Sequence, residues 1–195
     1  MSGLHDQPDG AATPLSPEER DGLIPAHVTL REELNEVEAQ NILAASLWAF
    51  ERKRPLITVD FSRNLHKRMY NKVWQWAGDY RTTNKNIGVD ANQIFPRLYE
   101  AMEQFQYWLE HQTFPADEIA VRFHHTLVAI HPFPNGNGRW SRLMADLLVV
   151  KLGQSRFTWG RANLAQQGND RDIYIAALKT ADNHDIRPLL AFARS

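Results

Sequence analysis

The chain has 195 residues, of which 43% are apolar, and this is enough for one domain with a hydrophobic core. A formal net charge of −1, without long runs of like charge, argues against direct binding of nucleic acid. The absence of cysteine excludes disulfides and thiolate metal sites. The first residues lack a signal-peptide pattern, and no apolar run approaches the roughly 18 residues of a membrane span. We therefore expect a soluble, cytoplasmic protein that does not bind membranes.

Residues 1–22 are rich in Pro, Gly, Asp and Ser, which predicts an N-terminal tail that is flexible or draped over the body. Apolar residues at helical spacing predict a helix over about residues 31–53, within an N-terminal helix region of residues 23–55. Asp60 is the predicted N-cap of the next helix. The helical period then breaks over residues 77–94. β-Branched residues mixed with Asn, Asp and Gly predict a β-hairpin or an extended loop there.

The second half of the chain is predicted to be largely helical. Apolar spacing indicates helices around residues 98–109, after Pro115, and from about residue 139 to 152. Two shorter helices are expected before the C-terminus. The predicted fold class is therefore mainly α, a helical bundle with one β-hairpin.

The stretch HPFPNGNGRWSR, residues 131–142, connects two of the predicted helices. Its two prolines and two glycines exclude a continuous helix or strand. A glycine-rich turn that leads into a helix N-terminus exposes several backbone N–H groups in one patch, where phosphate is the commonest ligand. Gly136 and Gly138 allow the backbone to approach such an anion closely. The stretch therefore predicts a phosphate site.

Side chains with matching chemistry lie in the same stretch. Arg139 and Arg142 are three residues apart on one helical turn, and guanidinium groups suit phosphate oxygens. His131 is the neighbouring group that exchanges a proton near neutral pH. A base, a phosphate site and two cations together indicate phosphoryl or nucleotidyl transfer.

The same residues carry a resemblance to a known family. HPFPNGNGR with Arg142 resembles the Fic-domain signature, H-x-F-x-[D/E]-G-N-G-R-x-x-R, at all positions but one. The stretches WQWAGDYRTTNKNIGVD, EIAVRFHHTLVAIHPFPNGNGR and FTWG are similar to the bacterial Fic subgroup labelled "mobile mystery protein B". The resemblance implies the Fic fold over residues 56–195, with the signature loop at 131–142 and a β-hairpin flap near it.

Fic proteins typically transfer AMP from ATP to a Ser, Thr or Tyr hydroxyl of a target protein, so the resemblance implies a protein adenylyltransferase. His131 would be the general base, and Phe133 would anchor the loop in the core. The ATP phosphates would be bound by five further residues: Gly136, Asn137, Gly138, Arg139 and Arg142.

One signature position departs from the family. Asn135 stands where an Asp or Glu usually binds the Mg²⁺ that accompanies ATP, so the resemblance implies Mg²⁺ held here by a neutral ligand. A catalytically weak Fic protein, acting as a nucleotide-binding or partner-binding module, is therefore an alternative function. A Doc-like kinase is another, although the intact G-N-G favours nucleotidyl transfer.

The resemblance also implies a flap and an inhibitory element. Residues 81–94 would form the flap that holds the target chain by strand pairing, with Ile87, Gly88 and Val89 at its edge.

Many family members carry an inhibitory helix with the pattern [S/T]-x-x-x-E-[G/N]. Only Glu33, four residues after Thr29, matches its first part, and Glu36 and Glu38 on the same helix are rivals. An ordinary surface glutamate on an amphipathic helix remains equally open. Inhibition by a separate antitoxin-like or helix-turn-helix partner protein is also open.

Overall fold

The computed structural model of the chain describes residues 15–161 and 169–195. Eight α-helices follow one another in these ranges: α1 (Pro17–Asp21), α2 (Arg31–Glu51), α3 (Val59–Tyr70), α4 (Ile94–Glu110), α5 (Ala116–Ile130), α6 (Asn137–Lys151), α7 (Asn169–Asp182) and α8 (Arg187–Arg194). Short 3₁₀ turns lie at Ala91–Gln93 and Trp159–Arg161. The prediction of a mainly helical chain is confirmed. None of these helices is both long and apolar enough to cross a membrane.

The helix boundaries agree with the sequence patterns except at three starts. Helix α4 begins at Ile94, four residues before the predicted start. The N-cap of α3 is Thr58, whose side-chain oxygen accepts the N–H of Phe61, and Asp60 lies inside the first turn. An acid in the first turn also suits the helix dipole, which is why the pattern pointed to Asp60. Helix α6 begins two residues before the predicted Arg139, because Gly136 takes the N-cap position.

The predicted β-hairpin is not formed. Residues 81–90 make an irregular loop, and across the described ranges the structure contains no strand beyond an isolated bridge between Leu23 and Trp74. Side chains take the place of a strand partner. Asn84 accepts the N–H of Ala91 with its amide oxygen and donates to Asp90 with its amide nitrogen, which closes the loop on itself.

The helices α5 and α6 pack against each other at the centre of the molecule, with α2 against α3 on one side and α7 against α8 on another. Fully buried side chains from several helices meet there: Leu65, Phe105, Phe123, Leu127 and Leu148. Burial of each such side chain contributes about 2 kcal/mol. The core therefore fixes the end of α5 and the start of α6, the two ends that the signature loop joins.

Helix α2 is an integral part of this core. It buries Leu34, Ala45 and Ala49. Asn41, also buried, donates to the carbonyl of Arg68 and accepts the N–H of Lys72, so it ties α2 to the C-terminal end of α3.

The prediction of a flexible tail falls partly on residues 1–14, which lie outside the described ranges. The remaining residues, 15–22, contain α1, whose N-terminus carries a capping box between Ser16 and Glu19. The indole N–H of Trp76 donates to the carbonyl of Glu19, and the N–H of Gln75 donates to that of Gly22. This part of the segment is thus bound to the body of the domain.

Candidate active site

The signature loop forms a tight connection between α5 and α6. His131 ends α5 in a left-handed conformation, with φ of 54°, and Gly136 precedes α6 with φ of 78°. The first helical hydrogen bond of α6 runs from the N–H of Trp140 to the carbonyl of Gly136. No described side chain caps this N-terminus, so the N–H groups of the first helical residues remain available to an anion.

Buried groups hold the loop in shape. Phe133 is fully buried, stacks on the ring of His66 at 3.6 Å between centroids, and meets Trp140 edge to face. The side chain of Asn137 accepts the Phe133 N–H at 2.9 Å and donates to the Phe133 carbonyl at 2.8 Å. Phe133 is therefore the anchor that the sequence predicts. Because the side chain of Asn137 is hydrogen-bonded within the loop, only its backbone N–H is left for an anion.

His66 fixes the turn from the α3 side and was not identified from the sequence. Its Nδ1 accepts the N–H of Gly78, so its Nε2 carries the proton and donates to the carbonyl of Asn135 at 3.1 Å. Burial lowers the pKa of His66 to about 3, against the opposing effect of the Asn135 carbonyl. The ring is thus neutral and locked in one tautomer.

His131 is placed and prepared as a base. Its side chain lies near the carbonyl of Val128, 3.3 Å from Nδ1, and a carbonyl can only accept, so Nδ1 carries the proton and the lone pair is on Nε2. Burial lowers its pKa to about 4, the Val128 carbonyl opposes this, and the charges of Arg81 and Lys85 lower it further. His131 is therefore neutral at pH 7, the form that a general base requires.

Asn135 fits a metal ion only weakly. Its Oδ1 accepts the N–H of Gly136 at 2.6 Å, and this oxygen carries no charge. In the described part of the chain no group of three or more His, Cys, Asp or Glu side chains is arranged to hold a metal. The protein can thus give Mg²⁺ one side-chain oxygen at this position, and the nucleotide phosphates would have to supply further ligands.

Arg139 is paired with a glutamate from α2. Its Nη1 donates to Oε2 of Glu38 at 2.6 Å, and the other Glu38 oxygen accepts the indole N–H of Trp74 at 2.7 Å. Glu38 is 5% exposed. Burial opposes the charge on Arg139, but Glu38 outweighs it and raises the pKa of the guanidinium.

The structure pairs Arg139 with Glu38 rather than with Glu33, the inhibitory candidate that the sequence predicts. The Glu33 carboxylate accepts the N–H groups of Thr29 and Leu30, at 2.8 and 3.0 Å, and so stabilises the start of its own helix. Glu38, one of the two rivals, is the residue that meets Arg139. The motif search missed it because Leu34 stands four residues before it and Ala39 follows it. One feature of the sequence pointed to Glu38: it falls on the buried face of α2, where a charged residue needs a partner.

Arg142 faces the same end of α6. A Cβ on Gly138 would lie 3.5 Å from its Nη1, and its guanidinium lies over the ring of Tyr174 on α7, 5.4 Å from the centroid. The structure therefore brings both arginines and the glycines of the predicted phosphate site together.

The loop of residues 81–94 lies directly against His131. Arg81, which is buried, donates to the carbonyls of His131 and Thr83, at 2.7 and 2.9 Å, and also to that of Val89. A Cβ on Gly88 would lie 2.7 Å from the Cβ of His131. Ile87 is 46% exposed. Gly88 and Val89, whose N–H donates to the carbonyl of Ile130, thus lie next to the signature loop, although without strand structure.

Comparison with known proteins agrees with this site. The sequence model of the Fic/DOC family matches residues 56–149, which include the end of α5, the signature loop and most of α6. Two curated relatives, both "Protein adenylyltransferase Fic", are 29% identical over 145 residues in Nematostella vectensis and 31% identical over 144 residues in Culex quinquefasciatus. Each alignment covers 72% of this chain but only 32% and 27% of the relatives, so the chain spans less than a third of their length.

Solved structures show the same fold. Fic-1 from C. elegans has a TM-score of 0.65 and 24% identity, over 91% of this chain and 52% of that one. The BepC protein of Bartonella tribocorum has a TM-score of 0.66 and 16% identity, over 92% of this chain and 97% of that one. With the family model matching residues 56–149 and the signature loop at the junction of α5 and α6, the chain contains a domain of the Fic/DOC family.

Proposed function

We propose that this protein transfers AMP from ATP to a Ser, Thr or Tyr hydroxyl of a target protein. The observation that carries the proposal is the position of a neutral His131 beside the N-terminus of α6, which itself bears Arg139 and Arg142. The names of the curated relatives support this reaction. The BepC structure contains bound AMPPNP, and a Fic domain from Bartonella quintana contains bound ADP, which supports ATP as the nucleotide.

The proposed chemistry uses groups of this chain. The target hydroxyl gives its proton to Nε2 of His131, and its oxygen forms a bond to the α-phosphorus of ATP. The bond from that phosphorus to the bridging oxygen breaks, and pyrophosphate leaves. The N–H groups at the start of α6 hold the α- and β-phosphates, and Arg139 holds the terminal phosphate with support from Arg142. Mg²⁺, contacted by Asn135, would neutralise part of the phosphate charge.

The target chain is proposed to dock on residues 81–94. Support comes from the contact of Gly88 with His131 and from the exposure of Ile87, which leave a backbone edge within reach of the base. Arg81 already binds the carbonyls of Thr83 and Val89, so an incoming strand would pair with other backbone groups of this loop.

The resting protein is proposed to be inhibited by Glu38, which occupies the guanidinium that the terminal phosphate needs. The "mobile mystery protein B" subgroup, an antitoxin-like or helix-turn-helix partner and a cytoplasmic location stay predictions from the sequence.

The proposal is tested by incubating the purified chain, with Glu38→Gly to release Arg139, with α-labelled ATP and Mg²⁺ in a cell lysate. We expect labelled protein, and none from the same variant with His131→Ala. Label from γ-labelled ATP but not from α-labelled ATP would instead indicate a kinase. No label from either nucleotide would leave the nucleotide-binding module as the better account.

Asn135→Asp tests the metal position in the same assay. Since a carboxylate binds Mg²⁺ more strongly than a carboxamide, we expect labelling at a lower Mg²⁺ concentration. An unchanged Mg²⁺ dependence would mean that the nucleotide alone determines metal binding.

A further inference from the structure

Tyr70, at the end of α3, has a hydroxyl without a hydrogen-bond partner in the described part of the protein. The residue is 1% exposed. Buried polar groups are nearly always hydrogen-bonded, and an unmade bond of this kind carries a free-energy cost. An unpaired hydroxyl at this depth, where it also lies beside groups that suit an anion, points to a partner that arrives with a ligand.

The hydroxyl lies at the N-terminus of α6. A Cβ on Gly136, the N-cap residue, would lie 2.5 Å from Oη of Tyr70 and 2.5 Å from the ring carbon that bears it. Gly136 therefore meets two requirements, a left-handed φ of 78° and close contact with this tyrosine. The hydroxyl thus stands beside the N–H groups that start the helix.

Positive charge surrounds the same point. The guanidinium of Arg139 lies 5.3 Å from the centroid of the Tyr70 ring, and the charge of Arg142 also acts on the hydroxyl. Burial raises the pKa of Tyr70, against the effect of these arginines, so the hydroxyl stays protonated and can donate. The nearby acid, Glu38, is already bonded to Arg139 and to Trp74.

We propose that Oη of Tyr70 donates a hydrogen bond to a phosphate oxygen of the nucleotide bound at the N-terminus of α6. Tyr70 is then a binding residue outside the signature loop, contributed by α3. The inference rests on the proposed function, since it needs a nucleotide at this terminus. A phosphate that replaces Glu38 as the counter-charge of Arg139 comes within reach of the tyrosine, because the guanidinium lies against its ring.

The test compares Tyr70→Phe with the parent chain. Phenylalanine keeps the ring that packs on Gly136 and removes only the hydroxyl. ATP affinity is measured by calorimetry in the full chain with Glu38→Gln, and again without that substitution, and pyrophosphate affinity is measured by competition. We expect Tyr70→Phe to weaken both ligands about tenfold, the effect of one hydrogen bond to a charged group.

A matched control is available in Tyr80, whose buried hydroxyl also has no partner in the described residues. It faces the charges of Arg63 and Asp60 rather than the signature arginines. Tyr80→Phe is expected to leave both affinities unchanged. Thermal unfolding without ligand shows whether either variant is misfolded.

The outcomes separate the two proposals. If the Glu38→Gln parent binds no ATP, the proposed function and the role of Tyr70 both fall. If the parent binds ATP and Tyr70→Phe binds it equally well, only the role of Tyr70 falls, and a gain in thermal stability would identify its hydroxyl as a structural defect. Equal losses in Tyr70→Phe and Tyr80→Phe, or a loss for ATP without one for pyrophosphate, would also overturn the inference.

Discussion

Glu38 on α2 and Arg139 on α6 form an ion pair of 2.6 Å that joins positions 101 residues apart in the sequence. The pair places a protein carboxylate against the guanidinium at the mouth of the phosphate site. Any anion that uses this arginine must first compete with Glu38. The contact therefore links nucleotide binding to the breaking of one ion pair.

Glu38→Ala is expected to tighten ATP binding by about 5- to 150-fold, the usual range of coupling between two sites. The reason is that ATP then binds Arg139 without first breaking its ion pair with Glu38. The same variant should lose about 3 kcal/mol of unfolding free energy, since Arg139 loses its counter-charge and Trp74 its acceptor. Calorimetry with ATP and urea unfolding measure the two effects.

Glu33→Ala is the matched control for Glu38. Because Glu33 accepts N–H groups at the start of α2, its loss should lower stability only slightly and leave ATP affinity unchanged. A gain in affinity with Glu33→Ala, or none with Glu38→Ala, would contradict the assignment.

Stability is expected to fall in mild acid. His66, His124 and His131 are buried, and burial lowers the pKa of each, to about 3 for His66 and about 4 for His131. Between about pH 6.5 and these values the unfolded chain binds protons that the folded chain does not. Each of the three then lowers the unfolding free energy by up to about 1.4 kcal/mol per pH unit as the pH falls.

Urea unfolding at pH 7.5, 6 and 5 measures this dependence. His131→Gln should reduce the slope by the contribution of one buried histidine. A slope that is the same in His131→Gln and the parent would show that this histidine titrates normally.

Arg81→Lys is expected to loosen the loop of residues 81–94. Arginine donates from three nitrogens to three carbonyls, and a lysine cannot reach all three, so buried carbonyls lose their donor. We expect a loss of about 2 kcal/mol and faster hydrogen exchange over residues 83–89. Arg97→Lys, which alters an exposed ion pair with Glu100, should stay within about 0.5 kcal/mol of the parent.

Glu19→Gln is expected to release the same loop from its other side. Lys85 donates to Glu19 at 2.6 Å, and both side chains are largely buried, so the pair ties the loop to α1. Loss of the charge should cost about 2 kcal/mol and speed hydrogen exchange around Lys85. Glu18→Gln changes an exposed neighbour and should do neither. Exchange at Lys85 that does not change in Glu19→Gln would show that the ion pair does not restrain the loop.

The sequence was sufficient for the parts of the site that local chain geometry determines. Apolar spacing located α5 and α6. The histidine, the glycines and the two arginines lie in one short stretch between these helices, so they necessarily come together at the junction. Contacts between distant elements could not be predicted in this way. Glu38, His66 and Tyr70 reach the loop because α2 and α3 pack beside α6, and no local pattern records that packing.

The prediction of a hairpin failed for a related reason. Its β-branched and turn residues suit a strand pair, but Arg81 binds the carbonyls that a strand partner would have bound. A buried arginine in a loop cannot be distinguished from a surface arginine by composition alone. The hydrogen bonds from the Arg81 side chain to backbone carbonyls therefore determine the irregular structure of this loop.

The anchoring of α2 determines how the protein can be switched on. Leu34, Ala45 and Ala49 lie in the same hydrophobic core as α5 and α6, and Asn41 is bonded to the end of α3. Departure of the whole helix would open that core, and its cost would approach that of global unfolding. If Glu38 inhibits the protein as proposed, its release requires only a rotamer change of one glutamate on a stationary helix, and a competing phosphate can induce this without refolding any segment.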